Sequence, residues 1–162
     1  DTHIAGYILE ANKSTVVLVN KWDAIEKDNF TMQQYTEIIR RELNFVSYVP
    51  ILFISVKSGQ RVDQVLPLAL KVQEERLARL GTGQLNRILQ NAQDAHHATS
   101  RTGKSLRMYY GTQVRSDPPT FMIYVNDPRL AHFTYTRYLE NCIRKEYPFS
   151  GTPIRIIYKA RR

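Results

Sequence analysis

The sequence predicts two α/β domains in succession, a parallel sheet with helices and then a helix–strand–strand–helix–strand domain. Two observations support this fold class. Short continuous apolar runs alternate with amphipathic stretches in residues 1–79, which is typical of parallel sheets whose strands are buried on both faces. After Gly81-Thr82-Gly83 the order of elements changes, and we place the boundary just before this stretch, between domains 1–79 and 80–162.

The first domain contains two predicted buried strands, each followed by a helix. The strands are the apolar runs at residues 15–19 and 51–54. Residues at helical spacing predict the helices, and Pro67 lies early in the second one. The two helical stripes consist of Tyr35, Ile38, Ile39 and Leu43, and of Val62, Val65, Leu66, Ala69 and Val72.

A leader at residues 4–8 is apolar and predicts the tail of an earlier helix. A sheet of only two strands leaves apolar edges without neighbours. The sequence also begins at Asp1 rather than at Met. We therefore expect further strands of the first domain upstream of this chain.

The second domain begins with a helix for which Thr82 is the predicted cap, with Leu85, Ile88, Leu89 and Ala92 on its apolar face. Residues 105–114 and 120–125 are predicted strands joined through a proline turn. Asp127-Pro128 predicts the cap and first position of a second helix. Residues 154–158 predict a final strand.

The net charge of +8 lies wholly in the second domain. Residues 1–79 have 10 Lys/Arg and 10 Asp/Glu, whereas residues 80–162 have 13 and 5. Such an asymmetry suggests a polyanionic partner for the second domain, most plausibly nucleic acid. A basic domain that is merely well solvated remains the alternative.

Composition excludes several classes of protein. With 43% hydrophobic and 23% charged residues, the chain is globular rather than disordered. It has no apolar run long enough to span a bilayer and no signal-peptide pattern. The single cysteine, Cys142, has no partner for an internal disulfide, which favours a reducing cytoplasm.

The segment Asn20-Lys21-Trp22-Asp23 directly follows the first buried strand, where α/β folds bind ligands. An ionised aspartate only accepts hydrogen bonds and suits the adjacent N1–H and N2–H₂ donors of guanine. Adenine has an acceptor at N1 instead. The stem of Lys21 can lie along the flat base while its charge stays in water, and Asn20 can tie the loop to its neighbours.

A second loop, Ser55-Val56-Lys57, follows the next buried strand. Because adjacent strands of a parallel sheet end at the same edge, the two loops can hold one base from two sides. We predict that the Val56 N–H donates to guanine O6 and that the Ser55 hydroxyl braces the loop.

Motifs for phosphate and magnesium are absent from the sequence. No Gly-x-x-x-x-Gly-Lys-Ser/Thr loop occurs, because the Gly103-Lys104-Ser105 triplet has Ala98 where the first glycine is needed. No Asp-x-x-Gly motif occurs either. The chain by itself is therefore predicted to recognise guanine without hydrolysing GTP efficiently, and we predict no catalytic residue in it.

Several segments together resemble the EngA (Der) family of ribosome-assembly GTPases. The leader at residues 4–11 and the Asn20–Asp23 motif resemble the end of the family's second GTPase domain. The remaining segments resemble its C-terminal domain: residues 110–114, 118–121, 125–128, 138–141 and 151–154. The resemblance covers essentially the whole chain, with Val56 replacing the commoner Ala.

This resemblance implies a fold and partners. It implies the C-terminal half of a P-loop GTPase-type parallel-sheet domain followed by a KH-like α+β domain. It also implies GTP or GDP as ligand, magnesium held by residues outside this chain, and upstream GTPase domains in the same polypeptide. The implied partners are the large ribosomal subunit and its RNA. The base-binding residues carried over are Asn20, Lys21, Asp23, Ser55 and Val56, with Lys57 beside them.

The second domain lacks the Gly-x-x-Gly loop with which a KH domain clamps nucleotides. What remains is a basic surface whose side chains would position RNA through its phosphates. The candidate contacts are Arg101, Lys104, Arg107, Arg115, Arg155, Lys159, Arg161 and Arg162. The alternative for each is a solvated arginine or lysine.

Other conspicuous residues are assigned to structure rather than chemistry. Tyr135 and Tyr138 lie on an apolar helix stripe, and Tyr110 shares a predicted strand face with Met108. Tyr109 is expected on the opposite face, with no stacking role assigned. The pair at residues 96–97 lacks carboxylate or cysteine partners, so we predict no metal site.

Three functions follow from these observations. The leading hypothesis is a GTP-switched assembly factor whose nucleotide state changes how its G domain docks on the KH-like domain. The first alternative is a constitutive RNA-binding module with a vestigial, non-hydrolysing G domain. The second is a protein-interaction adaptor without RNA contact, for which ribosome association would be insensitive to salt.

Overall fold

The computed structural model describes residues 2–98 and 103–161. Two RNA-contact candidates, Arg101 and Arg162, lie outside the described residues. The chain forms two compact units. The first consists of the residues up to Arg76 together with Ser150–Pro153, and the second consists of Leu77–Phe149 and the residues from Ile154 onward. The predicted boundary after residue 79 lies three residues beyond this division.

The first unit alternates strands and helices as predicted. Its strands are β1 (Val17–Val19) and β2 (Ile51–Phe53), which pair in parallel with Leu18 opposite Leu52. Its helices are α1 (Thr2–Glu10), α2 (Thr31–Glu42) and α3 (Val65–Leu77), with short 3₁₀ turns at Trp22–Ala24, Asn44–Val46 and Val62–Gln64. The parallel α/β arrangement predicted for this part of the chain is confirmed.

Helix α3 differs from its predicted apolar stripe. Only Val72 is buried in it, whereas Leu66 and Leu70 are 67% and 57% exposed. Pro67 lies in the first turn of α3, where its missing N–H costs no helical hydrogen bond.

Residues 150–153 belong to the first unit although they are distant from it in sequence. The Thr15 N–H donates to the Gly151 carbonyl at 2.8 Å, and the Gly151 N–H donates to the Tyr48 carbonyl at 2.8 Å. Gly151 has φ +71°, and a Cβ there would lie 2.7 Å from Val72 Cγ2. Only glycine meets both conditions without strain.

The second unit has the predicted order of helix, strand, strand, helix, strand. It consists of α4 (Thr82–Ala95), β3 (Met108–Arg115), β4 (Thr120–Val125), α5 (Phe133–Glu146) and β5 (Arg155–Ala160). The sheet order is β3-β4-β5, with β3 antiparallel and β5 parallel to β4. This α+β arrangement is the KH-like fold that the sequence predicted.

One face of this sheet packs against α4 and α5. The core includes Leu85, Ile88, Leu89, Ala92, Phe121, Ile123, Val125, Leu139, Ile143 and Phe149. Gly111 of β3 lies against this layer, because a Cβ there would come within 2.5 Å of Leu89 Cδ1. The side chains that alternate with these core residues along β3, β4 and β5 lie on the opposite face of the sheet, away from the helices.

Both predicted helix caps are corrected by the structure. Gly81 is the N-cap of α4, and Thr82 is already the first helical residue. Asp127 caps the 3₁₀ turn Pro128–Leu130 by accepting from the Arg129 N–H at 3.0 Å, and α5 starts only at Phe133. Among the described residues, no helix is both long and apolar enough to cross a membrane.

Candidate functional site

The loops after β1 and β2 are held side by side by backbone hydrogen bonds beyond the strand ends. The Ile54 N–H donates to the Val19 carbonyl at 2.8 Å, and the Trp22 N–H donates to the Ile54 carbonyl at 3.0 Å. The parallel ladder therefore continues into both loops. The two predicted guanine-binding segments thus lie next to each other at one sheet edge.

Trp22 anchors the first loop. Its side chain is 2% exposed, with ring centroids 4.5 Å from Phe53 and 5.5 Å from Tyr35. Lys21, just before it, has the left-handed φ of 61°. While Trp22 is buried, Asn20, Lys21 and Asp23 around it are exposed. The buried indole therefore holds a turn whose polar residues remain accessible.

The Asn20 side chain joins the two loops. Its Oδ1 accepts from the Lys21 N–H at 2.7 Å and from the Val56 N–H at 3.2 Å. The Val56 N–H, for which we predicted donation to guanine O6, thus donates to Asn20 in this structure. The bracing role predicted for Asn20 matches this geometry.

Ser55 is fully buried, and its hydroxyl donates to Asp23 Oδ1 at 2.5 Å. The same hydroxyl accepts from the Ser58 N–H at 3.2 Å. This hydrogen bond from Ser55 is the main cause that lowers the pKa of Asp23, and the positive charges of Lys57 and Lys27 lower it further. Asp23 is therefore held ionised, in a fixed orientation, at the rim of the sheet.

An ionised, exposed carboxylate beside a positive loop suits a ligand with two adjacent N–H donors. Asp23 accepts the Ser55 hydrogen bond through Oδ1, and its exposed carboxylate remains accessible from solvent. Val56 and Lys57 are exposed on the opposing loop. In the part of the chain that is described, no group of three or more His, Cys, Asp or Glu side chains is placed to hold a metal ion.

The described basic candidates of the second unit fall into two groups and one outlier. Arg115, Arg155 and Lys159 lie on the sheet face that points away from the helices, because Arg115 and Arg155 both pair with Thr120, and Lys159 pairs with Tyr124. Arg107 and Arg161 lie at the end of this face beside Tyr109. Their guanidinium carbons are 6.0 and 5.0 Å from its ring centroid. Lys104 lies apart from both groups, in the loop before β3.

Tyr110 lies on the face of the sheet opposite to the one predicted from the sequence. Tyr110 was predicted to share a face with Met108, but a register shift between the two turns Tyr110 to the open side, where it is 45% exposed. There it pairs with Tyr124 of β4. A β-bulge of this kind places two residues opposite one and breaks the alternation on which the prediction relied.

Comparison with known proteins gives consistent matches along the chain. Residues 79–159 match the family described as the KH-domain-like C-terminal domain of EngA bacterial GTPase enzymes. The chain is 50% identical over 161 residues to the protein named GTPase Der of Caldanaerobacter subterraneus subsp. tengcongensis, covering 99% of this chain. Over the full length of this chain, it is 48% identical to GTPase Der of Limosilactobacillus reuteri and 44% identical to GTPase Der of Leuconostoc citreum. In each case the chain spans 37% of the length of the relative.

Proposed function

Because this chain belongs to the EngA family of bacterial GTPases, we propose that it supplies guanine recognition and a basic RNA-binding domain to a GTP-binding factor. The factor would act in the cytoplasm during assembly of the large ribosomal subunit. The observation that carries the guanine assignment is the 2.5 Å hydrogen bond from buried Ser55 to Asp23. It is supported by the Asn20 bridge to Val56.

The chemistry of the site favours guanine over adenine. The carboxylate of Asp23 accepts from N1–H and N2–H₂ of guanine, whereas adenine would present an acceptor to an acceptor. If the bound base shields Asp23 from water, an analogue that cannot donate to the carboxylate leaves it unpaired, and such sites discriminate by roughly 10⁴–10⁵. Lys21 is exposed beside Asp23, and its aliphatic stem covers one face of the base.

Phosphate binding and hydrolysis belong to residues outside this chain. The sequence has neither a phosphate-binding loop nor an Asp-x-x-Gly segment, and its residues therefore fit the base of GTP but not its phosphates or Mg²⁺. We assign those groups to upstream GTPase domains of the same polypeptide. In this proposal the residues of the two loops bind and orient the base.

The nucleotide proposal is tested by replacing a hydrogen-bond acceptor of the Asp23 side chain with a donor. Asp23→Asn in the full-length protein presents an amide N–H₂ to the base, which repels guanine N2–H₂ but suits the carbonyl at the same position in xanthine. We expect weaker GDP binding and stronger XDP binding, measured by calorimetry. Asp63→Asn, an exposed carboxylate in the 3₁₀ turn before α3, is the matched control and should change neither. Unchanged nucleotide preference in Asp23→Asn would overturn the guanine assignment.

The RNA proposal rests on the positive sheet face formed by Arg115, Arg155 and Lys159. Binding through phosphates weakens with a slope set by the number of contacts, about −0.7 per phosphate on single strands. We expect the full-length protein to sediment with large ribosomal subunits at low salt and to dissociate as salt rises. Binding that persists at high salt would instead support an adaptor that contacts ribosomal protein. RNA binding without any guanine selectivity would support the alternative of a vestigial G domain.

A further inference from the structure

The sheet of the second unit has one face that is both aromatic and basic, and we call it the open sheet face. Its side chains come from all three strands in register: Tyr110, Thr112, Arg115, Thr120, Met122, Tyr124, Arg155, Ile157 and Lys159. Tyr110 and Ile157 are 45% and 38% exposed. An exposed patch of large apolar side chains on a sheet usually marks a binding surface.

Two tyrosines lie side by side at one end of this face, in the same row as Lys159. Tyr110 and Tyr124 are cross-strand partners with ring centroids 6.2 Å apart and planes inclined by 37°. The bulge between Met108 and Tyr110 brings the Tyr110 ring to this side instead of into the core. The backbone thus departs from regular pairing at the residue that exposes an aromatic ring.

A cleft extends the platform at one end. Tyr109, Tyr110, Tyr124 and Arg161 line a cleft of about 450 Å³, a volume within the usual range of ligand pockets. The Arg161 guanidinium carbon is 5.0 Å from the Tyr109 ring centroid. Rings and a guanidinium plane together are the groups on which nucleobases stack.

The charge of the face favours a polyanion. The sequences of β3, β4 and β5 contain no Asp or Glu, whereas Arg115, Arg155 and Lys159 all lie on the open side. Lys159 is directly opposite Tyr124, so a positive charge lies beside the ring pair. Lysine is depleted in the cores of protein–protein interfaces, and its place here argues against a protein partner.

Base-paired RNA does not fit this arrangement. Double-stranded RNA keeps its bases stacked inside the helix and is recognised by shape and backbone. Rings on a sheet face need bases that are already splayed out, as in single strands and loops. The Gly-x-x-Gly loop of a nucleotide-clamping KH domain is also absent from residues 80–162.

We propose that the open sheet face binds single-stranded RNA by stacking bases on Tyr110 and Tyr124, with Lys159 and Arg155 on the phosphates and Arg161 beside Tyr109 closing the cleft. This inference rests on the proposed RNA-binding function and specifies its surface. Stacking accepts every base, because each has a π-face, so the platform adds affinity for unpaired RNA rather than for one sequence.

The test compares two RNA strands of equal length, of which one carries bases and the other does not. Binding of a labelled oligouridylate and of an abasic strand with the same number of phosphates is measured by anisotropy on the full-length protein. We expect the oligouridylate to bind at least about fivefold more tightly, the lower end of one stacking contact. The double variant Tyr110→Leu/Tyr124→Leu should lose this preference and keep the salt slope. Tyr110→Phe/Tyr124→Phe should retain the preference because the rings remain.

Two further variants separate stacking from charge. Arg155→Gln/Lys159→Gln should weaken binding of both RNAs and reduce the salt slope by about 0.7 per lost contact. Phe133→Leu is the matched aromatic control, because Phe133 of α5 is 75% exposed and has the Arg137 guanidinium carbon 5.6 Å from its ring. It should leave both affinities unchanged, and an equal loss of preference in Phe133→Leu would overturn the platform.

The outcomes distinguish this inference from the function on which it rests. Salt-dependent binding that is equal for both RNAs in the unaltered protein overturns the platform and leaves the RNA proposal standing. No binding of either RNA overturns both. If the leucine variant does not fold, photo-crosslinking of 4-thiouridine RNA to the unaltered protein decides. Crosslinks on Tyr110 or Tyr124 support the platform, and crosslinks found only elsewhere overturn it.

Discussion

The hydroxyl of Ser55 donates to the carboxylate of Asp23 at 2.5 Å, although the two residues are on different loops and 32 positions apart. Ser55 is fully buried while Asp23 is exposed. The buried hydroxyl of Ser55 therefore sets the orientation of the exposed Asp23 carboxylate. The ionised state and the fixed position of the Asp23 carboxylate therefore depend on a residue of the neighbouring loop.

Ser55→Ala should raise the pKa of Asp23. The carboxyl pKa lies below its ordinary value of 3.8, and the Ser55 hydrogen bond is the largest cause. A lowered folded-state pKa stabilises the protein above the ordinary value, and this contribution is lost as pH falls through the folded-state value. Titration of the Asp23 carboxyl carbon by NMR should therefore show a higher midpoint in Ser55→Ala, and nucleotide binding should be lost at a higher pH.

The control for this experiment is Ser58→Ala. Ser58 contributes only its backbone N–H to the network, so its side chain can be removed without breaking the bond to Asp23. Its midpoint should equal that of the unaltered protein. An Asp23 midpoint that does not move in Ser55→Ala would show that the lysine charges, and not the hydroxyl, hold the carboxylate ionised.

Gly111→Ala should destabilise the second unit by about 1–3 kcal/mol. The added Cβ would lie 2.5 Å from Leu89 Cδ1 and 3.4 Å from Leu85 Cδ2, both on buried side chains with little room to move. Gly83→Ala is the control, because a Cβ there meets nothing within 4 Å and the residue lies in α4. Because Gly83 is the second residue of α4, Gly83→Ala should leave the free energy of unfolding unchanged or raise it by less than about 1 kcal/mol. Urea unfolding of both variants gives the comparison, and equal stability would exclude the close packing of Gly111.

Gln113→Leu should cost about 1–3 kcal/mol despite its similar size. The buried Gln113 amide accepts from the Leu80 N–H at 2.7 Å and donates to the Ala78 carbonyl at 3.0 Å. Leucine leaves these backbone groups without their partner. Gln90→Leu, which breaks only an exposed bond to Asp94, should change the free energy of unfolding by less than about 0.5 kcal/mol. A loss in Gln113→Leu as small as that in Gln90→Leu would contradict this prediction.

Gly151→Ala should destabilise the first unit more than Gly59→Ala. Both glycines have positive φ, +71° and +76°, so both variants carry the penalty of about 1 kcal/mol for a left-handed alanine. Only at Gly151 does the Cβ also meet Val72 Cγ2 at 2.7 Å and the Thr15 carbonyl oxygen at 2.8 Å. The difference between the two variants in thermal unfolding measures this close packing. Equal losses would show that residues 150–153 move aside without cost.

Much of the fold is encoded in local patterns. The order of strands and helices in both units follows from apolar spacing, because period and burial are properties of neighbouring residues. The position of Asn20–Asp23 and Ser55–Lys57 at one sheet edge follows as well, since both segments directly succeed strands that pair in parallel. The exposed helix stripe of α3 was the main departure, because apolar spacing does not show whether a partner covers it.

The sequence by itself determined the fold class, the charge asymmetry and the residue types of the two loops proposed to bind guanine. Only the tertiary structure decided that Asn20 takes the Val56 N–H, that residues 150–153 join the first unit, and that Tyr110 faces outward with Tyr124. The physical reason is common to the three. The first two depend on contacts between residues far apart in the chain, and the third depends on a one-residue bulge. The local alternation of apolar and polar side chains predicts neither kind of feature.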